Sequence, residues 1–326
     1  MARYLRERIL SACLTMFFIT VIIFVLLSLM ETVAAETLSV SGAADTAVTE
    51  YGPPDAHRAF DKNRSVLLRY ALWLRDVFQG DWGVSYRYGV PVREIILQRF
   101  GPSAFLMCSG LLLAALFSIP VGVMGAYWPG SAWDRFASGP AIFGYAVPRF
   151  VACVLFIYLF SFRLHLLPMT GMHASGVRSF GDLLRHLILP ASMIALGVSG
   201  YLVQQIRDAC RDVFREDYVK TARAKGLSEL EVVLRHGLRT AFPPILSQLA
   251  LEIPEIVGES AITEKIFGWP GIGALMIEAI KNRDAPLIMG IALVIAMIAL
   301  AANIALDVAY GLLDPRVSRV WERRPL

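Results

Sequence analysis

The sequence predicts an all-α integral membrane protein, and three observations carry that prediction. Of the 326 residues, 56% are apolar or aromatic and only 18% are charged, against about 25% charged in a typical soluble domain. Mean hydropathy is +0.56. The apolar residues gather into runs that match the roughly 20 helical residues needed to cross the hydrocarbon, and the charges gather between those runs. This composition excludes a disordered chain, a disulfide scaffold and a collagen-like fibre. Cys13, Cys108 and Cys153 lie in apolar runs and Cys210 in a charged stretch. None has the CxxC spacing of a zinc or thioredoxin-like site.

Taken in order, the runs predict six transmembrane helices. The first is Ile9–Met30, which has no charge. The second, Ser103–Trp128, lies inside the uncharged interval Phe100–Trp133 and ends at Pro129-Gly130. The third, Phe136–Phe162, carries Arg149. The fourth is Leu187–Ile206. The fifth, Thr240–Thr263, carries Glu252, Glu255 and Glu259, and the sixth is Ala285–Leu306. Pro120, Pro148, Pro190 and Pro254 interrupt these runs, which is tolerated where neighbouring helices satisfy the freed carbonyls. The chain divides accordingly: 1–30 as the N-terminus and first helix, 31–100 as an outer loop domain, 101–313 as a core with five helices, and 314–326 as a tail.

Orientation follows from Lys and Arg in the short connections. Arg3, Arg6 and Arg8 precede the first span. The connection between spans four and five holds Arg207, Arg211, Arg215, Lys220, Arg223, Lys225, Arg235 and Arg239, and the tail holds Arg316, Arg319, Arg323 and Arg324. With six spans these segments share one side, so both termini are expected in the cytoplasm. The basic N-terminus, apolar run and small residues Thr32-Val33-Ala34-Ala35 resemble a signal peptide. The run is longer than the usual h-region of 7–15 residues, so a retained first helix is expected.

The connection from Asp217 to Arg239 is too polar for lipid and too rich in Ala, Leu, Lys and Glu for a floppy loop. Gly226 reads as a helix end, and Ser228 with Glu231 three residues on reads as a capping box opening the next helix. Two short helices with a bend at Gly226 are predicted. Small side chains at Thr221, Ala222 and Ala224 would let a partner approach closely. The plain alternative is a solvated amphipathic loop.

Asp217–Ser228 and Arg235–Ala241 resemble the EAA loop of binding-protein-dependent ABC importer permeases in its peptide/nickel form, with Lys220-Thr221-Ala222 where other subgroups have Glu-Ala-Ala. Gly80-Asp81-Trp82-Gly83 with Ser85, Arg185–Ala191, Phe267–Gly273 and Leu313–Arg316 resemble the same family, in the right order. The resemblance implies a type I permease fold in a bacterial or archaeal plasma membrane. It implies a coupling helix, here Lys220, Thr221, Ala222, Arg223, Ala224, Lys225, Gly226 and Leu227, seated in a groove of a cytoplasmic ATPase subunit. The implied partners are a related second permease, two ATPase subunits, an extracytoplasmic substrate-binding protein and membrane lipid, but no nucleic acid. The implied cargo is a di- or oligopeptide; nickel or another metal or metal chelate is the alternative. The chain has no GxxxxGK[ST] motif, so no catalytic residue and no bound cofactor are expected, and ATP and Mg belong to the partner subunits.

Charges inside a span are costly and mark a pathway or a pair. Glu252, Glu255 and Glu259 fall within about 60° of one helix face. Arg149 and Glu252 lie at similar depths, about 20 Å and 18 Å from the cytoplasmic ends of their spans at 1.5 Å per residue, so these two could meet. Such a pair could hold helices together, or the charges could line a translocation path; both readings stand. His165, Met169, Met172 and His173 would suit a late transition metal, but ordinary loop residues are the more usual case and no metal site is assigned. The amphipathic stretch Ser65–Phe78 predicts a helix against a binding protein or the membrane surface. An intramembrane enzyme is disfavoured because no HExxH or GxSxG motif occurs, and a passive channel has no use for the coupling loop.

Overall fold

The computed structural model describes residues 2–40, 65–135, 147–174, 176, 179–228 and 231–313, and these are almost wholly helical. The elements are α1 (Ala2–Val40), α2 (Val66–Phe78), α3 (Val92–Tyr127), α4 (Arg149–Phe156) running into a π-helical stretch at Ile157–Arg163, α5 (Phe180–Arg215), α6 (Asp217–Ala224), a second π-helical stretch at Val232–Gly237, α7 (Leu238–Ile266), α8 (Ile272–Lys281) and α9 (Ala285–Leu313). Among the described residues, α3, α5 and the segments Leu10–Leu29 and Ala285–Ala305 are long and apolar enough to cross a membrane. α7 is long enough but carries Glu252, Glu255 and Glu259. Part of the third expected span, 136–146, lies outside the described residues, as does the tail 314–326.

Helices pass through two of the expected boundaries. α1 continues beyond Met30 to Val40, and α3 begins at Val92, before residue 100. Pro91 stands at the N-cap of α3, where a missing N–H costs nothing, and Glu94 in the first turn suits the positive helix end. Pro102 and Pro120 remain inside α3, and Pro190 inside α5.

The centre of the fold is the α3–α5 pair. Gly110, Ala114, Ser118, Gly122 and Ala126 recur every four residues on α3 and all are buried. Such a stripe of small residues lets two helices approach closely in lipid. A Cβ at Gly110 would strike Ile194 and one at Gly122 would strike Ile206. The same core takes in Leu202 of α5 and Ala241, Ile245 and Ile256 of α7.

α2 is the predicted amphipathic helix, and its leucines divide between its two sides: Leu72 and Leu74 pack inward, Leu67 and Leu68 do not. Trp73 is buried with Phe24 of α1 and Ala285 and Met289 of α9, while Leu67 and Phe78 are exposed. Tyr70 and Thr20 share a 2.9 Å hydroxyl hydrogen bond, and the Arg69 guanidinium lies over the Phe24 ring at 5.8 Å. The helix docks on α1 with this side and leaves Val66, Leu67, Leu68 and Phe78 exposed.

Two junctions on the side opposite α6 fix the helix ends. In the first, Ser85 donates to Asp284 Oδ2 at 2.5 Å and the Arg87 N–H donates to the same oxygen at 3.2 Å. Asp284 also accepts from the Leu287 N–H at 3.3 Å, so one fully buried carboxylate caps α9 and anchors the loop after α2. In the second, Glu264 near the end of α7 accepts from Ser103 Oγ at 2.7 Å and from the Ala274 N–H at 2.9 Å, while Ser103 accepts from the Ile272 N–H at 2.7 Å. Trp269 Nε1 donates to the Pro102 carbonyl at 2.9 Å. A Cβ at Gly271 would strike the Glu264 carboxyl group, which accounts for glycine there.

Candidate functional site

Two groups of residues carry the functional case, the polar segment after α5 and the charges within the apolar helices. α6 starts at Asp217 in its first turn and ends with Arg223 in its last, charges that match the two ends of the helix dipole. Lys220 Nζ donates to Asp217 Oδ1 at 2.8 Å, and this hydrogen bond and charge hold the Asp217 carboxyl below its usual range. Gly226 ends the turn with φ of +79°, a left-handed conformation that glycine adopts without strain. The capping box is present: the Ser228 N–H and Oγ donate to Glu231 Oε2 at 3.1 and 2.8 Å, and the Glu231 N–H donates to Ser228 Oγ at 3.4 Å.

Beyond the capping box the expected second short helix does not stand apart. The chain turns through the π-helical stretch at Val232–Gly237 and continues directly into α7. A Cβ at Gly237 would collide with the Phe214 ring, so the missing side chain lets the base of α7 lie against the end of α5. Phe214 meets Tyr127 edge-on at 5.9 Å, and the Arg223 guanidinium stands 5.7 Å from the Tyr127 ring centroid. A run of contacts therefore joins α6 to the ends of α3, α5 and α7. Asp134 adds a second tie beside it, pairing with Arg207 at 2.8 Å and Arg211 at 3.1 Å. Asp134, Tyr127 and Phe214 carry no motif in the sequence; the available signal is an Asp between Trp133 and Arg135 and two arginines four apart at 207 and 211.

The segment's side chains divide into two sides. Lys220, Thr221, Arg223, Ala224, Lys225 and Gly226 are exposed and Leu227 is half-buried. Ala222 faces inward, buried with Val219 and Val232 in a small apolar core of the segment itself. Its small side chain therefore serves packing within the segment and is not offered to a partner.

Arg149 opens α4 after Pro148, and its guanidinium forms an ion pair with Glu259 of α7, not with Glu252. Matching depths along ideal helices pointed to Glu252. The guanidinium instead lies against Gly197 of α5, where a Cβ would strike it, and from that niche it meets Glu259 two turns farther on. Glu252 is buried on the stripe of α7 that carries Ile245 and Ile256, residues of the α3–α5 core. Glu255 is exposed and Glu259 half-buried. The predicted acidic face is thus split: one carboxyl faces the bundle interior and two lie toward its surface. In the loop after the π-helical stretch, His173 Nδ1 lies 3.3 Å from Asp182 and Met172 packs against the core. Among the described residues no group of three or more His, Cys, Asp or Glu is placed to hold a metal ion.

Residues 118–319 match the family described as the inner membrane component of binding-protein-dependent transport systems. A putative peptide permease protein of Brucella suis biovar 1 (strain 1330) is 35% identical over 97% of this chain and 99% of its own length. An oligopeptide transport system permease protein of Bacillus subtilis (strain 168) is 32% identical over the same shares. An inward-facing structure of the MetNI methionine ABC transporter covers 68% of this chain and 97% of its own, with a TM-score of 0.56 at 14% identity, a likeness of fold alone. With its helical architecture and this match over most of its length, the chain belongs to the binding-protein-dependent family of inner-membrane, multi-pass transport components and has the type I permease fold of ABC importers.

Proposed function

We propose that the chain is one permease subunit of an ATP-driven importer, forming half of a translocation pathway for di- or oligopeptides delivered by an extracytoplasmic binding protein. The observation that carries this reading is the full-length similarity to proteins named as peptide permeases, 35% identical over 97% of the chain. The second half of the pathway is a related permease, so the working unit is a heterodimer in lipid with two ATPase subunits. Those subunits hold ATP and Mg, and this chain binds no cofactor.

In this reading the exposed side of the segment, Lys220, Thr221, Arg223, Ala224, Lys225 and Gly226 with Leu227 beside them, docks on an ATPase subunit, and Ala222 shapes the segment from within. Closure of the ATPase pair pushes on α6, and the Arg223–Tyr127–Phe214 contacts carry the displacement to α3, α5 and the base of α7. Arg149, Glu255 and Glu259 are the polar groups open to a peptide inside the membrane, and Glu252 adds its charge to the pathway from within the bundle. Both termini and α6 lie on the ATPase side. A cysteine at the exposed Ser228 should accordingly be modified by an impermeant maleimide only from that side; modification from the opposite side overturns the orientation.

Reconstitution of the two permeases and the ATPase subunits in liposomes tests the function. Uptake of a labelled tripeptide is expected only with the binding protein outside and Mg-ATP on the ATPase side. Equal uptake without ATP would mark a channel and overturn the reading.

A further inference from the structure

We infer that Arg149 is the subsite for a peptide's terminal carboxylate, and that Glu259 occupies it when no peptide is bound. The inference rests on the importer reading and adds the cargo group that is recognised and the atoms that recognise it.

Three observations meet at this side chain. First, the guanidinium is incompletely satisfied among the described residues. Nη2 pairs with Glu259, whereas Nη1 is buried and has no hydrogen-bond acceptor among the described residues. A buried charged donor left without an acceptor is costly, and an arginine's planar fork is matched by a carboxylate lying across two of its nitrogens. One glutamate oxygen on Nη2 leaves that match incomplete. Second, the place of the guanidinium is built. Gly197 lacks the Cβ that would strike it, and Arg149 is the first residue of α4, whose N-terminal end also favours an anion. Third, the partner can leave. The Glu259 side chain is 43% exposed, against 18% for Arg149, so it has room to swing away on the open side of the pair while the arginine stays in its niche.

Arginine–carboxylate pairs are frequently two-pointed, and this one is recorded at one point. Here the cation is fixed and half-satisfied while the anion is peripheral and held at one point, the arrangement of a site whose resident group exchanges for an incoming one. A peptide carboxylate arriving between α4 and α7 takes Nη1 and Nη2 together and releases Glu259. On departure Glu259 returns, so the arginine is never stranded. Arg149 and Glu259 then act on transport in opposite directions, one as ligand and the other as competitor.

The test uses the whole transporter in proteoliposomes with trialanine and trialanine amide, which differ only in the terminal carboxylate. The ratio of acid to amide uptake in each variant is divided by the wild-type ratio, which cancels discrimination by the binding protein. In Arg149→Gln the ratio is expected to fall by about tenfold or more, the loss of a charge-assisted hydrogen bond. In Arg149→Lys, which keeps the charge for Glu259 but lacks the planar fork, the complex should assemble normally and the ratio still fall. In Glu259→Gln the apparent KM for the acid should drop and that for the amide should not. If Arg149→Lys leaves the ratio at its wild-type value, or if Glu259→Gln impairs both peptides equally and Arg149→Gln/Glu259→Gln restores both, the pair is structural and the inference is overturned. Absence of ATP-driven uptake of either peptide by the wild type overturns the importer reading itself, and the subsite with it.

Discussion

Ala222→Asp is expected to abolish transport while leaving the protein inserted in the membrane. The Ala222 side chain is 5% exposed and packs against Val219 and Val232, both fully buried. A carboxylate there has no cation among the residues of that small core, and burying an unpaired charge costs several kcal/mol in effective terms. The core is too small to absorb that, so α6 should detach from the base of α7. Gly226→Pro should act similarly by another route. Proline fixes φ near −65°, whereas this residue sits at +79°, and proline also loses the N–H that donates to the Arg223 carbonyl at 2.9 Å. Ala224→Asp is the informative contrast, because Ala224 is exposed and its replacement leaves the segment folded. Uptake and co-purification with the ATPase subunit measure all three. Wild-type transport by either of the first two variants would show that the fold of this segment is not needed for coupling.

The spans were legible where hydropathy alone decides them. Among the described residues, the four helices apolar enough to cross a membrane each coincide with one of the expected runs to within a few residues or extend past it, because lipid leaves a backbone few options other than a helix. The capping box at Ser228 and Glu231 was equally legible, since both partners lie within one helical turn. Helix ends were less so. α3 extends to Val92 because the protein holds its first turns, with Arg93, Glu94 and Arg99, outside the apolar run that set the prediction.

Pairings between distant segments were not legible. Arg149 could be recognised as needing a carboxylate, but which one depends on Gly197, a residue that acts by lacking a side chain. In the sequence Ala222 is small and therefore available, whereas its partners Val219 and Val232 show that it is small and therefore enclosed. Phe214 against Gly237 and Asp134 between Arg207 and Arg211 belong to the same class. Each needs two helices set side by side before either residue acquires a role.

Glu264→Ala should cause the largest loss of stability of any single change on the side opposite α6. The residue is fully buried, and its two oxygens serve different elements, the Ser103 hydroxyl of α3 and the Ala274 N–H of α8. Alanine leaves both donors without this acceptor in a water-poor site, at about 1–3 kcal/mol each, and adds a void. Glu264→Gln keeps the volume and one acceptor oxygen but turns an NH2 group toward the other donor, so it should fall between alanine and wild type. The comparison that isolates burial is Glu278→Ala. Glu278 accepts from Lys265 at 2.7 Å, but that pair is more than a third exposed on both sides, and exposed pairs contribute at most about 1 kcal/mol. Thermal unfolding of the purified complex should therefore rank Glu264→Ala lowest, Glu264→Gln next, and Glu278→Ala near wild type. A Glu264→Ala complex that unfolds with Glu278→Ala would mean that the Trp269–Pro102 and Ile272–Ser103 hydrogen bonds hold the junction without the carboxylate. The ranking bears on transport as well, because Glu264 stands five residues beyond Glu259 on α7. The network that fixes the end of that helix against α3 and α8 also sets where Glu259 meets Arg149, so a loosened junction should weaken acid-to-amide discrimination even at temperatures where the complex remains folded.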